Sequence, residues 1–150
     1  MAKKFKFKLE SFLKLKSFNV TKAEDALNKI LILKYEKEVE IVSLYDEISE
    51  LNNNPKKQTI IDLQSRFHRK IFLEDRIVQI RYEITKIVEI ENFKRKELQE
   101  AMKDEKILEK LKEKKQVEFK FETGKEEDLA LDEISIVAFG KKLIAENSVN

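Results

Sequence analysis

The chain has 150 residues, of which 40% are charged and 41% apolar, with only 2 Gly and 1 Pro. So few turn-formers exclude a compact, many-cornered globule and point to a few long helices with a narrow apolar seam. Net charge is +2, from 31 Lys and Arg against 29 Asp and Glu, and the signs are interleaved rather than gathered into the one-signed stripe of a nucleic-acid binder. Cysteine is absent, which excludes disulfides, thiolate metal sites and a cysteine nucleophile.

In chain order, the first sixteen residues carry Lys3, Lys4, Lys6, Lys8, Lys14 and Lys16 against one acid, Glu10. This arm suits either an acidic surface or plain solvation. It lacks the apolar core of a signal peptide, and nowhere does an uninterrupted apolar run approach the ~18 residues of a membrane span, so a cytoplasmic protein is expected. Helix 1 is predicted over about 8–51. Its positions Leu27, Ile30, Lys34, Lys37, Ile41, Leu44, Ile48 and Leu51 follow 3–4 spacing as a coiled-coil seam.

The run Asn52-Asn53-Asn54-Pro55 is a helix stop, and a turn is predicted over 52–58. Thr59, with Asp62 three residues on, makes a variant capping box at the start of helix 2, predicted over about 59–144. Its seam is Ile77, Ile80, Ile84, Ile87, Glu91, Lys94, Leu98, Ala101, Glu105 and Leu108. Leu63 and Phe67 do not fit that frame together, which predicts a stutter at 68–76. A fold-back at the asparagines would place Leu51 against Ile60, Ile48 against Leu63, Leu44 against Phe67 and Lys37 against Glu74, residues whose numbers sum to about 111. The fold class is therefore all-α: a long two-helix antiparallel coiled-coil hairpin in a single elongated domain, with an extended C-terminal helix of some forty unpaired residues. Val117, Phe119 and Phe121 alternate like a strand ahead of Gly124, which allows a bend at 117–127. With no partner strand elsewhere, helix or disorder is favoured there.

Catalytic chemistry has no inventory to draw on. The single histidine, His68, sits among Arg66, Arg69 and Lys70 on helix 2, and the two glycines are too few for a phosphate-cradling loop. No catalytic, cofactor or metal site is expected. Residues 94–115 hold nine Lys or Arg, but six acids lie among them and no aromatic is interleaved for base stacking, so nucleic acid is not an expected partner. Mixed-charge faces likewise argue against a membrane-surface helix.

The opening Phe5-Lys6-Phe7-Lys8-Leu9-Glu10, followed by Leu13 and Leu15, resembles the N-terminal pattern of the FliJ family, in which alternating phenylalanines precede a leucine-glutamate helix start. At the far end Leu131-Asp132-Glu133-Ile134, with Phe139 five residues on, resembles the family's C-terminal segment. This chain has Ala138 where the family commonly has arginine, so a contact resting on that arginine is not carried over. The resemblance implies a cytoplasmic hairpin, peripheral to the inner-membrane export gate. Its C-terminal region would enter the central hole of the hexameric flagellar export ATPase (FliI-like), as the gamma subunit does in rotary ATPases, and couple it to the export gate protein (FlhA-like). Substrate chaperones are further implied partners.

Phe72 lies off the seam set by Leu73 and Ile77, which makes it the partner-binding candidate on helix 2, the alternative being that the stutter rotates it into the hairpin. Leu131, Asp132, Glu133, Ile134 and Phe139 are the candidates at the C-terminal end. Two alternatives stand beside this reading: the homologous stalk of a virulence-type injectisome, and a structural coiled coil that self-associates through its seam.

Overall fold

A computed structural model describes residues 3–53 and 59–149. The fold is all-α, with no strand among the described residues: α1 spans Glu10–Asn52 and α2 spans Ile60–Val149. The chain divides into two compact units, Lys16–Lys103 and a second made of Met1–Leu15 with Asp104–Asn150. Of the expected turn over 52–58, residues 54–58 lie outside the described residues.

Local chemistry sets the helix ends. Asn53 N–H donates to the Ser49 carbonyl (3.1 Å), closing the last turn of α1. At the start of α2 the capping box forms reciprocally. Asp62 N–H donates to Thr59 Oγ1 (3.2 Å), and Thr59 N–H donates to Asp62 Oδ2 (3.3 Å), so two otherwise orphaned amides are satisfied.

In the unit Lys16–Lys103, the least exposed α1 positions follow unbroken 3–4 spacing through Val20, Ala23, Leu27, Ile30, Lys34, Lys37, Ile41, Leu44, Ile48 and Leu51. On α2 the frame runs through Arg66, Lys70, Leu73, Ile77, Ile80, Ile84, Ile87, Glu91 and Lys94 without a stutter. The predicted discontinuity at 68–76 is absent because Arg66 and Lys70 occupy seam positions, their long apolar stems covering the seam where the pattern seemed to lapse. Leu63 lies in frame, Phe67 lies off it, and both are exposed. Leu73, Ile77, Ile80 and Ile87 form the driest part of the unit, with Ile80 at 0% exposure.

The register differs from the fold-back drawn at the asparagines. Cross-helix partners are Lys34 with Glu91 (3.1 Å), Lys37 with Glu83 (3.0 Å), Glu40 with Arg76 (3.0 Å), Glu47 with Arg69 (2.6 Å), Tyr45 with Arg81, and the Leu51 carbonyl with Arg66 (3.5 Å). The residue numbers of these pairs sum to between 116 and 126, and within that range a sum of about 121 sets each seam residue of one helix level with one of the other. Lys37 thus faces Glu83, not Glu74, and Leu51, Ile48 and Leu44 lie level with Lys70, Leu73 and Ile77 rather than with Ile60, Leu63 and Phe67. A heptad seam matches its partner at many offsets, so apolar spacing alone cannot choose among them. The charges choose.

Lys34 and Glu91 are polar members of the two seams, and they meet. Glu91 is buried, and it also accepts two hydrogen bonds from Arg95 (2.9 and 3.2 Å). Those bonds, from Arg95 first and Lys34 next, hold its carboxyl below the usual carboxylate pKa against the opposing effect of burial. One turn away Lys37 Nζ lies 3.0 Å from Glu83 Oε2, although off the direction of a hydrogen bond. Such a polar layer fixes alignment more than it adds stability, since any slip strands a desolvated charge.

In the other unit, Leu13 and Leu108 are the buried apolar side chains, and Lys112 pairs with Glu10 (2.9 Å). Ahead of α1, residues 3–7 carry no regular structure. Phe5 meets Phe119 with ring centroids 5.6 Å apart, and Lys3 lies 3.8 Å from Glu126. N-terminal cover therefore reaches Glu126, well into the forty or so residues expected to be unpaired. Residues 117–127 are helical. Their alternation is explained by the arm: Phe119 is half-buried against Phe5, while Val117 and Phe121 are exposed and Lys125 stacks over the Phe121 ring at 4.5 Å.

Candidate partner-docking surfaces

Among the described residues, each unit leaves an apolar stretch of α2 uncovered. In the unit Lys16–Lys103, the register sets Asn52, the last residue of α1, level with about residue 69 of α2. The first turns of α2, from Ile60 to about residue 68, therefore pass beyond the end of α1, and Ile60, Ile61, Leu63 and Phe67 are all more than half exposed. Phe72 follows on the outward side at 60% exposure, where the expected frame puts it. Arg69 holds its ring: the guanidinium lies 5.4 Å from the Phe72 centroid while donating to Glu47 Oε1 at 2.6 and 3.0 Å. A fixed, uncovered aromatic of this kind resembles an interface anchor.

The second surface is the end of α2. Leu131, Ile134 and Phe139 are each at least 60% exposed, and Asp132 and Glu133 are exposed between them. These five candidates lie on consecutive turns of one helix, and the structure does not gather them into a pocket. Neither helical surface makes a catalytic arrangement. Among the described residues, no cluster of His, Asp and Glu could hold a metal ion, and no helix is long and apolar enough to cross a membrane.

The terminal segment also holds residues that the sequence reading passed over. Leu129, Ile136, Val137, Leu143 and Ile144 are exposed as well. At 100° per residue, Leu131, Ile134, Ile136, Val137 and Phe139 point in directions spread around the whole helix rather than along one stripe. A stripe suits a single groove. An apolar circumference suits enclosure from several sides. The signal was present in the sequence as apolar residues with no seam frame, and their exposure among the described residues gives it meaning.

Comparison with protein families gives one match, described as "FliJ: Flagellar FliJ protein", over residues 5–143. No curated protein and no solved structure matches significantly. The matched span contains both uncovered surfaces up to Leu143, and it contains the arm residues Phe5 and Phe7.

Proposed function

We propose that this chain, which belongs to the FliJ family of flagellar proteins, serves flagellar protein export as a central stalk. The C-terminal end of α2 enters the hole of the hexameric export ATPase, and the hairpin couples that ring to the membrane export gate. The chain hydrolyses nothing itself. One observation carries this reading: the apolar circumference over 129–144, which a ring can enclose on all sides and a flat partner cannot. Leu131, Ile134 and Phe139 supply the apolar contact, and Asp132 and Glu133 set its orientation by pairing with basic groups of the ring.

The outward Phe72, braced by Arg69, is the proposed contact for the export gate or for substrate chaperones. The site of action is then cytoplasmic and peripheral to the inner membrane. The test mixes the chain, whole or ended after residue 126, with the flagellar export ATPase from the same source, followed by pull-down, sizing and ATP turnover. Binding that needs the last segment, with more hexamer or faster turnover, is expected. Absence of binding, together with self-association at micromolar concentration, would replace the stalk with a structural coiled coil.

A further inference from the structure

Within the unit formed by Met1–Leu15 and Asp104–Asn150, the cover over α2 changes character. Leu13 on α1 and Leu108 on α2 are both buried, and Glu10 with Lys112 closes that stretch at 2.9 Å. Ahead of Glu10 the chain leaves helical geometry, yet residues 3–9 continue along α2 as far as Glu126. Phe119 extends the 3–4 spacing of Leu108 and Lys112, so the seam persists on α2 after its helical partner has ended. The arm takes the partner's place.

Its grip is slight. The ring pair Phe5–Phe119, at 5.6 Å and 56°, is the one aromatic contact between arm and helix among the described residues. Lys3 and Glu126 are both well exposed and 3.8 Å apart, a pair worth little in water. A groove of ≈ 600 Å³ remains between the two segments, with Phe7 and Leu9 on the arm side and Leu111 on the helix side. Lys4, Lys6 and Lys8 line it on the arm side, and the helix side supplies Glu118 and Glu122 together with Lys115, which pairs with Glu118 at 3.4 Å. Close packing would have filled that volume. The arm is tethered by ring stacking and screened charge.

We propose that residues 3–9 are a releasable strap: closed, it shields the Phe119 face of α2; open, it adds Phe119 and Leu111 to the apolar side chains that α2 already exposes at Val117, Phe121 and over 129–144. The ring pair alone makes opening roughly two- to twelve-fold rarer than it would be without Phe5. The facing lysines and glutamates make opening more frequent as salt rises, because exposed charges lose their attraction beyond a Debye length of ~10 Å at 0.1 M.

The test is amide hydrogen exchange read by mass spectrometry on the full chain, with peptides from 73–94 as internal reference. Phe5→Ala should speed exchange over 111–126 roughly two- to twelve-fold and leave the reference unchanged. A second variant carries Phe5→Cys and Phe119→Cys joined by a short bis-maleimide, feasible because the chain has no cysteine of its own. This locked chain should exchange more slowly over 111–126 than the unmodified protein, and it should lose the salt dependence. Unchanged exchange in Phe5→Ala would show that the arm does not clasp the helix. Exchange in the locked chain equal to that of the unmodified protein would show that the strap never opens. Either result overturns the proposal.

Discussion

Replacing Ile80 with alanine puts the packing of the hairpin to its hardest test. Ile80 is fully buried, and its neighbours in the frame, Ile77 and Leu73, are nearly so. Removing its branched side chain gives up buried apolar surface and leaves a gap that two rigid helices close only in part, which costs about 2–5 kcal/mol. For a domain of this size that is a large part of a total near 5–15 kcal/mol. Val78 is the control two residues away on the same helix: at 65% exposure it faces solvent, and Val78→Ala should stay within about 0.5 kcal/mol or stabilise slightly, since alanine is the better helix former. Urea unfolding followed by helical circular dichroism gives both values from the midpoints at constant slope. Equal midpoints for the two variants would refute the claim that this seam holds the helices together.

Three further outcomes follow from the same geometry. Thr59→Ala removes the hydroxyl that accepts from Asp62 N–H and should cost about 1 kcal/mol, with amide exchange fastest over 60–63. A cysteine pair at Ile48 and Leu73 should oxidise within one molecule, whereas a pair at Leu51 and Ile60 should not, because a disulfide tolerates only about 4.4–6.8 Å between α-carbons. Gel mobility under non-reducing conditions separates the two registers. For Glu91, the folded pKa lies below the unfolded value, so its pairing stabilises the hairpin above the unfolded pKa, and that contribution disappears as pH falls through the folded value. The stability gap between the native chain and Glu91→Gln should therefore be open at pH 6 and close steadily below about pH 4.5 in urea titrations. A gap independent of pH would contradict the Lys34–Glu91–Arg95 arrangement.

The fold was legible because its determinants are local: 3–4 spacing, a cap of Thr59 and Asp62, and the scarcity of glycine and proline each act within a few residues. Register was not, since it depends on which distant charges meet. Lys34, Lys37, Glu91 and Lys94 stood out as polar seam positions, but only the folded hairpin shows Lys34 beside Glu91 and Lys37 beside Glu83. Arg66 and Lys70 imitated a break in the seam because their charge hides an apolar stem. At the N-terminus the alternating phenylalanines were visible while their counterpart was not, for Phe5 meets Phe119 across 114 positions of chain. The outward exposure of Phe72 followed from its place off the frame. At the C-terminal end a short motif drew attention to Leu131–Ile134 and Phe139 and away from Ile136 and Val137, which complete the apolar circumference.

Ile134 stands at the centre of that circumference at 65% exposure and has no packing role within its unit, so Ile134→Asp should leave helicity and the unfolding midpoint unchanged. The direct measurement is the affinity of this variant for the hexameric flagellar export ATPase, beside that of the unmodified chain, with ATP turnover recorded at saturation. Docking by enclosure predicts an affinity at least about ten-fold weaker and a loss of stimulated turnover. Affinity and turnover equal to those of the unmodified chain would contradict the stalk reading at the residue on which it most depends.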